Sequence, residues 1–268
     1  MRAMLRTMDG RPVGIFDSGV GGLSVLRFFR EFAPQERVIY FADTAFFPYG
    51  PRPPAEVRKR SFAVVNRLLA SDVKMVIVAC NTASAAAITD LREAFPIPFV
   101  GMVPGVKPAA IASRSRRVAI LATPGTLDGD LYSRVVADFG YGTVIANVPG
   151  NGLADLVERG EAGTPAARHA LRSTLGPEVR AGADTVVLGC THYHFLAHDI
   201  GQEFPGVAIV DTSEAVARRA VAVLQEEGLA APADVEGGID IIVSGDRAAF
   251  TRSMERLGFA PIASEVAG

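Results

Sequence analysis

The 268-residue chain holds only two cysteines, Cys80 and Cys190, 110 positions apart. Two thiols cannot make the staple framework of a small secreted domain, and a structural disulfide is improbable in a reducing compartment. There is no CxxC pair, so the zinc-ribbon spacing is excluded. Lysines are almost as scarce: Lys59, Lys74 and Lys107 are the full set. Pyridoxal chemistry needs a Schiff-base lysine. Lys59 falls on a charged helix face and Lys74, just before a strand, reads as solvated. Only Lys107, after Val103-Pro104-Gly105, is left as a candidate.

Neither sign of charge is in excess. Lys and Arg total 27 against 29 Asp and Glu, a formal net charge of −2, which gives no pull toward nucleic acid or an anionic membrane. No apolar run reaches the length of a membrane span. Met1 to Arg11 carries charges but no apolar core before a cleavage site, so no signal peptide is read there and a cytoplasmic protein is expected. Gly19-Val20-Gly21-Gly22 lacks the GxGxxG order and a Walker lysine, which argues against a dinucleotide site.

What the chain does have is apolar residues, 49% of the total, enough for a sizeable core in one large or two modest α/β domains. Strands are predicted at Val13–Phe16, Val38–Phe41, Met75–Val78, Pro98–Val100, Val118–Leu121, Thr143–Ile145, Thr185–Leu188, Val207–Val210 and Ile239–Val243. Nearly all are unbroken apolar runs, as strands covered on both faces of a parallel sheet should be. Helical periods separate them. Ala55–Ala70 places Val57, Phe62, Val65 and Leu69 near one face; Ser213–Glu227 and Asp246–Leu257 follow the same rule, the latter with Asp246 as N-cap. Pro51, Pro53 and Pro54 crowd one loop, and Asn147–Gly152 reads as another. The alternation gives an α/β fold.

An internal echo is the most informative feature. Val76-Ile77-Val78-Ala79-Cys80-Asn81-Thr82 resembles Val186-Val187-Leu188-Gly189-Cys190-Thr191-His192, and Val13–Gly19 resembles Val118–Pro124. From Asp17 to Cys80 is 63 positions and from Ala122 to Cys190 is 68. Two similar α/β halves follow. Ligands of open α/β sheets bind beyond the carboxyl ends of the strands, and both cysteines sit at such ends, so two facing halves would offer two cysteines to one cleft. A lone cysteine in an apolar strand is usually a small buried hydrophobe; the repeat is what argues otherwise.

Inverting a carbon that carries hydrogen requires a base on one face and an acid on the other. Paired cysteines suit that task. Helix N-termini lower a thiol pKa, and Asp17 and His192 are natural partners for the two thiols. Ser18, Asn81, Thr82, Thr126 and Thr191 offer neutral hydrogen bonds; the Gly19–Gly22 run and the helix starts offer backbone N–H groups for carboxylates. Tyr49-Gly50, in the proline-rich loop, is placed to line the cleft. The rival from another class is a non-catalytic zinc- or ligand-binding protein, with Cys80, Cys190, His192 and His194 as donors, Cys-x-His-x-His in an extended stretch pointing its side chains one way. His169 and His198 read as solvated.

At Phe16–Val25, Ala42-Asp43-Thr44 with Pro48-Tyr49-Gly50, Ala79–Ser84, Thr123–Thr126 and Gly189–Tyr193, in this order, the sequence resembles the glutamate racemases of the aspartate/glutamate racemase superfamily. The resemblance implies two α/β domains around a shared active site, no cofactor and no metal, and interconversion of L- and D-glutamate. It implies that Cys80 takes the proton from D-glutamate and Cys190 from L-glutamate. It implies substrate contacts from Asp17-Ser18, Tyr49-Gly50, Asn81-Thr82 and Thr191-His192, and a role in peptidoglycan supply; homodimers are common in the superfamily. A C-terminal segment returning to the first domain gives expected bounds of 1–104 plus 213–268 for the first domain and 105–212 for the second. An aspartate or hydantoin racemase of the same superfamily would share the site and differ in cleft size. His194-Phe195 stands where the superfamily commonly has Pro-Leu, and Ala122 where it often has glycine or a hydroxyl residue.

Overall fold

A computed structural model describes residues 9–234 and 236–259. Positions 1–8, which the signal-peptide reading covers, and 260–268, the end of the first domain's expected range, lie outside the described residues. Strands form at β1 (Val13–Asp17), β2 (Val38–Ala42), β3 (Met75–Val78), β4 (Phe99–Gly101), β5 (Arg117–Ala122), β6 (Val144–Pro149), β7 (Thr185–Gly189), β8 (Ala208–Val210) and β9 (Ile239–Val243). One sheet runs β4-β3-β1-β2-β9 and the other β6-β5-β7-β8. Every pairing is parallel. Each predicted apolar run becomes a strand, because burial on two faces selects for continuous β-branched and aliphatic sequence.

The repeat is a repeat of topology. The orders β4-β3-β1-β2 and β8-β7-β5-β6 are the same order with the second half substituted for the first. Among the described residues only the first sheet is extended, by β9 beside β2.

Between and after the strands lie α1 (Leu23–Phe32), α2 (Pro54–Leu69), α3 (Asn81–Ala94), α4 (Val106–Ala112), α5 (Pro124–Leu127), α6 (Asp130–Phe139), α7 (Leu153–Glu158), α8 (Pro165–Arg180), α9 (Ala197–Glu203), α10 (Ser213–Glu226) and α11 (Arg247–Arg256). Asp246 caps α11, its carboxylate accepting the Ala249 N–H at 3.0 Å. Leu23, Leu26 and Phe29 of α1 are fully buried, each contributing about 1.5–3 kcal/mol relative to exposure. They belong to a core cluster that continues through Tyr193 and Leu196 into β5 and β7, so one apolar interior joins the halves.

Four sequence expectations are corrected. β6 runs on to Pro149, through half of the stretch read as the Asn147–Gly152 loop. It is an edge strand with Val148 as its one buried residue, so its far half, Asn147–Pro149, carries no apolar run to mark it. Pro54 belongs to the first turn of α2, where its missing N–H costs nothing. The buried stripe of α2 is Val57, Ser61, Val64, Val65 and Leu68, leaving Phe62 and Leu69 on its flanks. Lys74 is buried rather than solvated. Its ammonium lies 2.6 Å from the buried Glu36 carboxylate and donates to the Asp9 carbonyl at 2.5 Å. Among the described residues no helix is long and apolar enough to cross a membrane.

Candidate active site

The two cysteines occupy equivalent places. Cys80 follows β3 and Cys190 follows β7, both with extended backbone, at φ −144°, ψ 121° and φ −149°, ψ 137°. Each is the residue before a helix. For Cys80 that helix is the 14-residue α3; for Cys190 it is a 3-10 turn, Thr191–Leu196. Both thiols are free and buried. They line one cavity of about 260 Å³, together with Ser18, Tyr49, Gly50, Thr82 and His192 of the predicted site. Phe47, Thr123, Asn151 and Asp155 are among its further lining residues, which the sequence reading does not name as site residues.

Asp17, at the end of β1, is fully buried behind Cys80. Its Oδ2 accepts the N–H groups of Gly22 at 3.0 Å and Gly19 at 3.3 Å, while Oδ1 has no hydrogen-bond partner among the described residues. Burial pushes the Asp17 carboxyl above its usual range, against the opposing pull of His192. Burial likewise pushes the Cys80 thiol well up, and the adjacent Asp17 carboxylate adds to it. This corrects the expectation that a helix N-terminus would lower it. The α3 terminus does help, through the Ala83 N–H, but desolvation of a thiolate outweighs one N–H dipole.

The Cys190 half is built differently. His192 Nδ1 lies 3.7 Å from Cys190 Sγ, and its Nε2 lies 2.8 Å from Glu158 Oε1. Burial works against charge on this imidazole, yet Cys190 and Glu158, with the field of Asp17, hold its pKa well above the ordinary value. As an imidazolium it donates from both nitrogens, to sulfur on one side and carboxylate on the other. Glu158 ends α7 and also accepts the Val20 N–H at 2.7 Å. It was missed at the sequence level, and nothing around it in Leu153–Glu158 distinguishes it from a solvated helix charge.

The glycine run has a packing reason. A Cβ on Gly21 would sit 2.4 Å from His192 Nδ1, and one on Gly19 would sit 1.7 Å from Glu158 Oε1. The N–H groups of Gly19, Val20 and Gly22 point at Asp17 and Glu158. They serve the protein's own carboxylates, which corrects the expectation that they would receive a ligand's.

The other predicted residues divide. Asn81, Thr126 and Thr191 are buried beside the cavity but do not line it. Thr126 closes a ring of hydroxyls, 3.0 Å from Thr123 and 3.4 Å from Thr82, with Thr82 to Thr123 at 2.8 Å. Asn81 Oδ1 has no partner among the described residues. Ala122 packs against Gly189, where a Cβ would come within 2.6 Å of it. His194 turns away from the cavity, toward Asp211 through Nδ1 and Arg27 at 2.9 Å through Nε2. The 3-10 turn therefore defeats the shared orientation that the zinc reading required, and no group of three or more His, Cys, Asp or Glu suited to a metal occurs among the described residues. Lys107 lies over the Phe139 ring at 5.0 Å and does not line the cavity. His169 and His198 are exposed.

Comparison with known proteins agrees with this geometry. A family model described as Asp/Glu/hydantoin racemase matches residues 24–220. A glutamate racemase of Deinococcus radiodurans is 46% identical over 240 residues, 88% of this chain and 83% of the relative. The crystal structure of glutamate racemase from Thermus thermophilus, in complex with β-chloro-D-alanine, superposes with a TM-score of 0.81 at 37% identity, covering 97% of this chain and 96% of that one. The Escherichia coli glutamate racemase, solved with L-glutamate and the activator UDP-MurNAc-Ala, gives a TM-score of 0.81 at 34% identity over 93% of this chain and 96% of that one. The chain belongs to the Asp/Glu/hydantoin racemase family and is an isomerase, an amino-acid racemase.

Proposed function

We propose that this chain interconverts L- and D-glutamate by passing the Cα proton between Cys80 and Cys190, with no cofactor. The observation that carries this reading is the pair of free thiols at matching ends of two equivalent sheets, opening on one cavity. Cys190 takes the proton of L-glutamate, aided by the His192–Glu158 pair, and Cys80 delivers a proton to the opposite face. In reverse, Cys80, its own proton passed to the Asp17 carboxylate, takes the Cα proton of D-glutamate while the Cys190 thiol delivers a proton to the opposite face. The Oδ1 of Asp17, without a partner among the described residues, and the raised basicity of that carboxylate support the exchange. Each sulfur must approach the reacting carbon to about 3–3.5 Å, which sets the sulfurs roughly 7 Å apart in a liganded crystal.

The cavity is lined by no lysine or arginine. Apart from the His192 imidazolium, the substrate's carboxylates are therefore met by neutral donors: Ser18, Thr82 and Thr123 hydroxyls at the cavity, with Tyr49-Gly50, Asn81 and Thr191 as the further contacts of the proposal. Glutamate as the substrate rests on the relatives. The same reading carries domain bounds of 1–104 plus 213–268 and 105–212, supported by the membership of β1–β4 and β9 in one sheet and β5–β8 in the other. It also carries a homodimer, a cytoplasmic location and the supply of D-glutamate for peptidoglycan, all of which rest on the family resemblance. The test is racemisation of L-glutamate, L-aspartate and a hydantoin, followed by circular dichroism without added metal or pyridoxal phosphate. Turnover of glutamate is the expected result. Turnover of aspartate or a hydantoin alone would reassign the substrate.

A further inference from the structure

We propose that Asp43 is a positioning residue, which sets substrate affinity by holding the Tyr49 wall of the cavity from behind. This rests on the racemase reading of the same site. Asp43 follows β2 and is fully buried. Tyr49 donates its hydroxyl to Asp43 Oδ2 at 2.5 Å. Arg60, from α2, grips the carboxylate with both arms, at 2.6 Å from Nε and 2.5 Å from Nη2. Ser244, just past β9, donates to Oδ1 at 2.8 Å. Three separate elements thus converge on one carboxylate that does not line the cavity.

What they hold is the wall. Phe47, Pro48, Tyr49, Gly50 and Pro51 all line the cavity. The Phe47 ring lies 5.5 Å from the His192 ring. The Gly50 carbonyl accepts the Gly125 N–H at 2.9 Å, bridging to the second half. With its hydroxyl committed to Asp43, Tyr49 meets the substrate through its ring and backbone. Asp43 therefore acts through Tyr49, and β9, which has no counterpart in the second sheet among the described residues, contributes to the site through Ser244.

The loss of one such hydrogen bond raises KM by about three- to tenfold. That result is expected for Tyr49→Phe, Asp43→Asn and Ser244→Ala, with kcat held within about twofold because the interaction is equal in ground and transition states. Thr164→Ala, which removes the N-cap of α8, serves as a control destabilised elsewhere and should leave KM unchanged. A substrate-independent readout runs beside it. Iodoacetamide should alkylate Cys80 and Cys190 several-fold faster in Asp43→Asn than in the wild type or in Thr164→Ala, because a loosened wall exposes them. Unchanged KM and alkylation in all three variants would overturn the proposal, as would a fall in kcat at constant KM. Failure of the wild type to turn over glutamate would instead sink the substrate assignment, and the alkylation rates would still decide the role of Asp43.

Discussion

At Asp17 a carboxylate is shut away from water with only two N–H groups for company, and the fold favours its neutral form. Its folded pKa is raised above the unfolded value of about 3.9. Ionising it within the fold therefore costs stability, and that cost appears as pH rises through the unfolded value. Asp17→Asn keeps the acceptor and removes the charge. Its melting temperature should exceed that of the wild type at pH 7, and the gap should close as pH falls to about 4. Its kcat/KM should fall about a hundredfold or more, the usual worth of an acid–base group. The enantiomers have equal free energy in water, so kcat/KM must fall equally in both directions; kcat should fall more from D-glutamate, the direction that begins at Cys80 in the proposed transfer. A lower melting temperature at pH 7 would show that Asp17 is held as a favourable anion. His192 runs the other way. Its folded pKa is raised, so the stability it contributes is present below about 6.5 and is lost as pH rises through the folded value. Glu158→Gln should bring that loss to lower pH in a melting series. It should also cut kcat/KM about ten- to hundredfold, the range for one charge-assisted hydrogen bond. Of the candidate site, both cysteines could be named from the duplicated motifs, and Asp17 and His192 from their places beside those motifs. Glu158 was not, because its role comes from a contact with His192, 34 positions away, that no local pattern encodes.

At the scale of elements, two strand–cysteine–helix units were readable because sheets buried on both faces leave long apolar runs that end abruptly in polar residues. The tail of β6 escaped for the opposite reason: an edge strand tolerates Asn147 and Pro149. The 3-10 form of Thr191–Leu196 also escaped, since nothing in Thr-His-Tyr-His separates it from an extended stretch. The turn from Asp17 to α1 is where element geometry bears most on chemistry. Gly21→Ala drives a methyl into His192 and Thr191, whose Oγ1 would be 2.6 Å away. Turnover should fall more than a hundredfold while the far-ultraviolet spectrum is kept, because a misplacement of about 1 Å costs that much. A variant retaining near-normal kcat would mean that the imidazole position is not critical.

For the whole molecule, a continuous core joins the halves, and the first half is pinned within itself at the amino ends of its sheet, where Lys74 meets Glu36 and Glu36 also accepts the Ala231 N–H at 2.7 Å. Lys74 was misread because its charge, seen locally, belongs on a surface; its partner is 38 positions upstream. Lys74→Met should cost about 3–5 kcal/mol in urea melts by leaving Glu36 uncompensated, whereas Lys74→Met with Glu36→Leu should recover most of it. No recovery would mean that the pair itself, rather than the orphaned charge, supplies the stability. The cavity is lined by one thiol from each half, and the proposed transfer needs both. Deuterium exchange at Cα, followed by NMR in D2O with each enantiomer and each single-cysteine variant, tests this. Two-base transfer requires Cys80→Ser to exchange L-glutamate but not D-glutamate, and Cys190→Ser the reverse, with racemisation lost in both. Either variant exchanging both enantiomers, or still racemising, would contradict it.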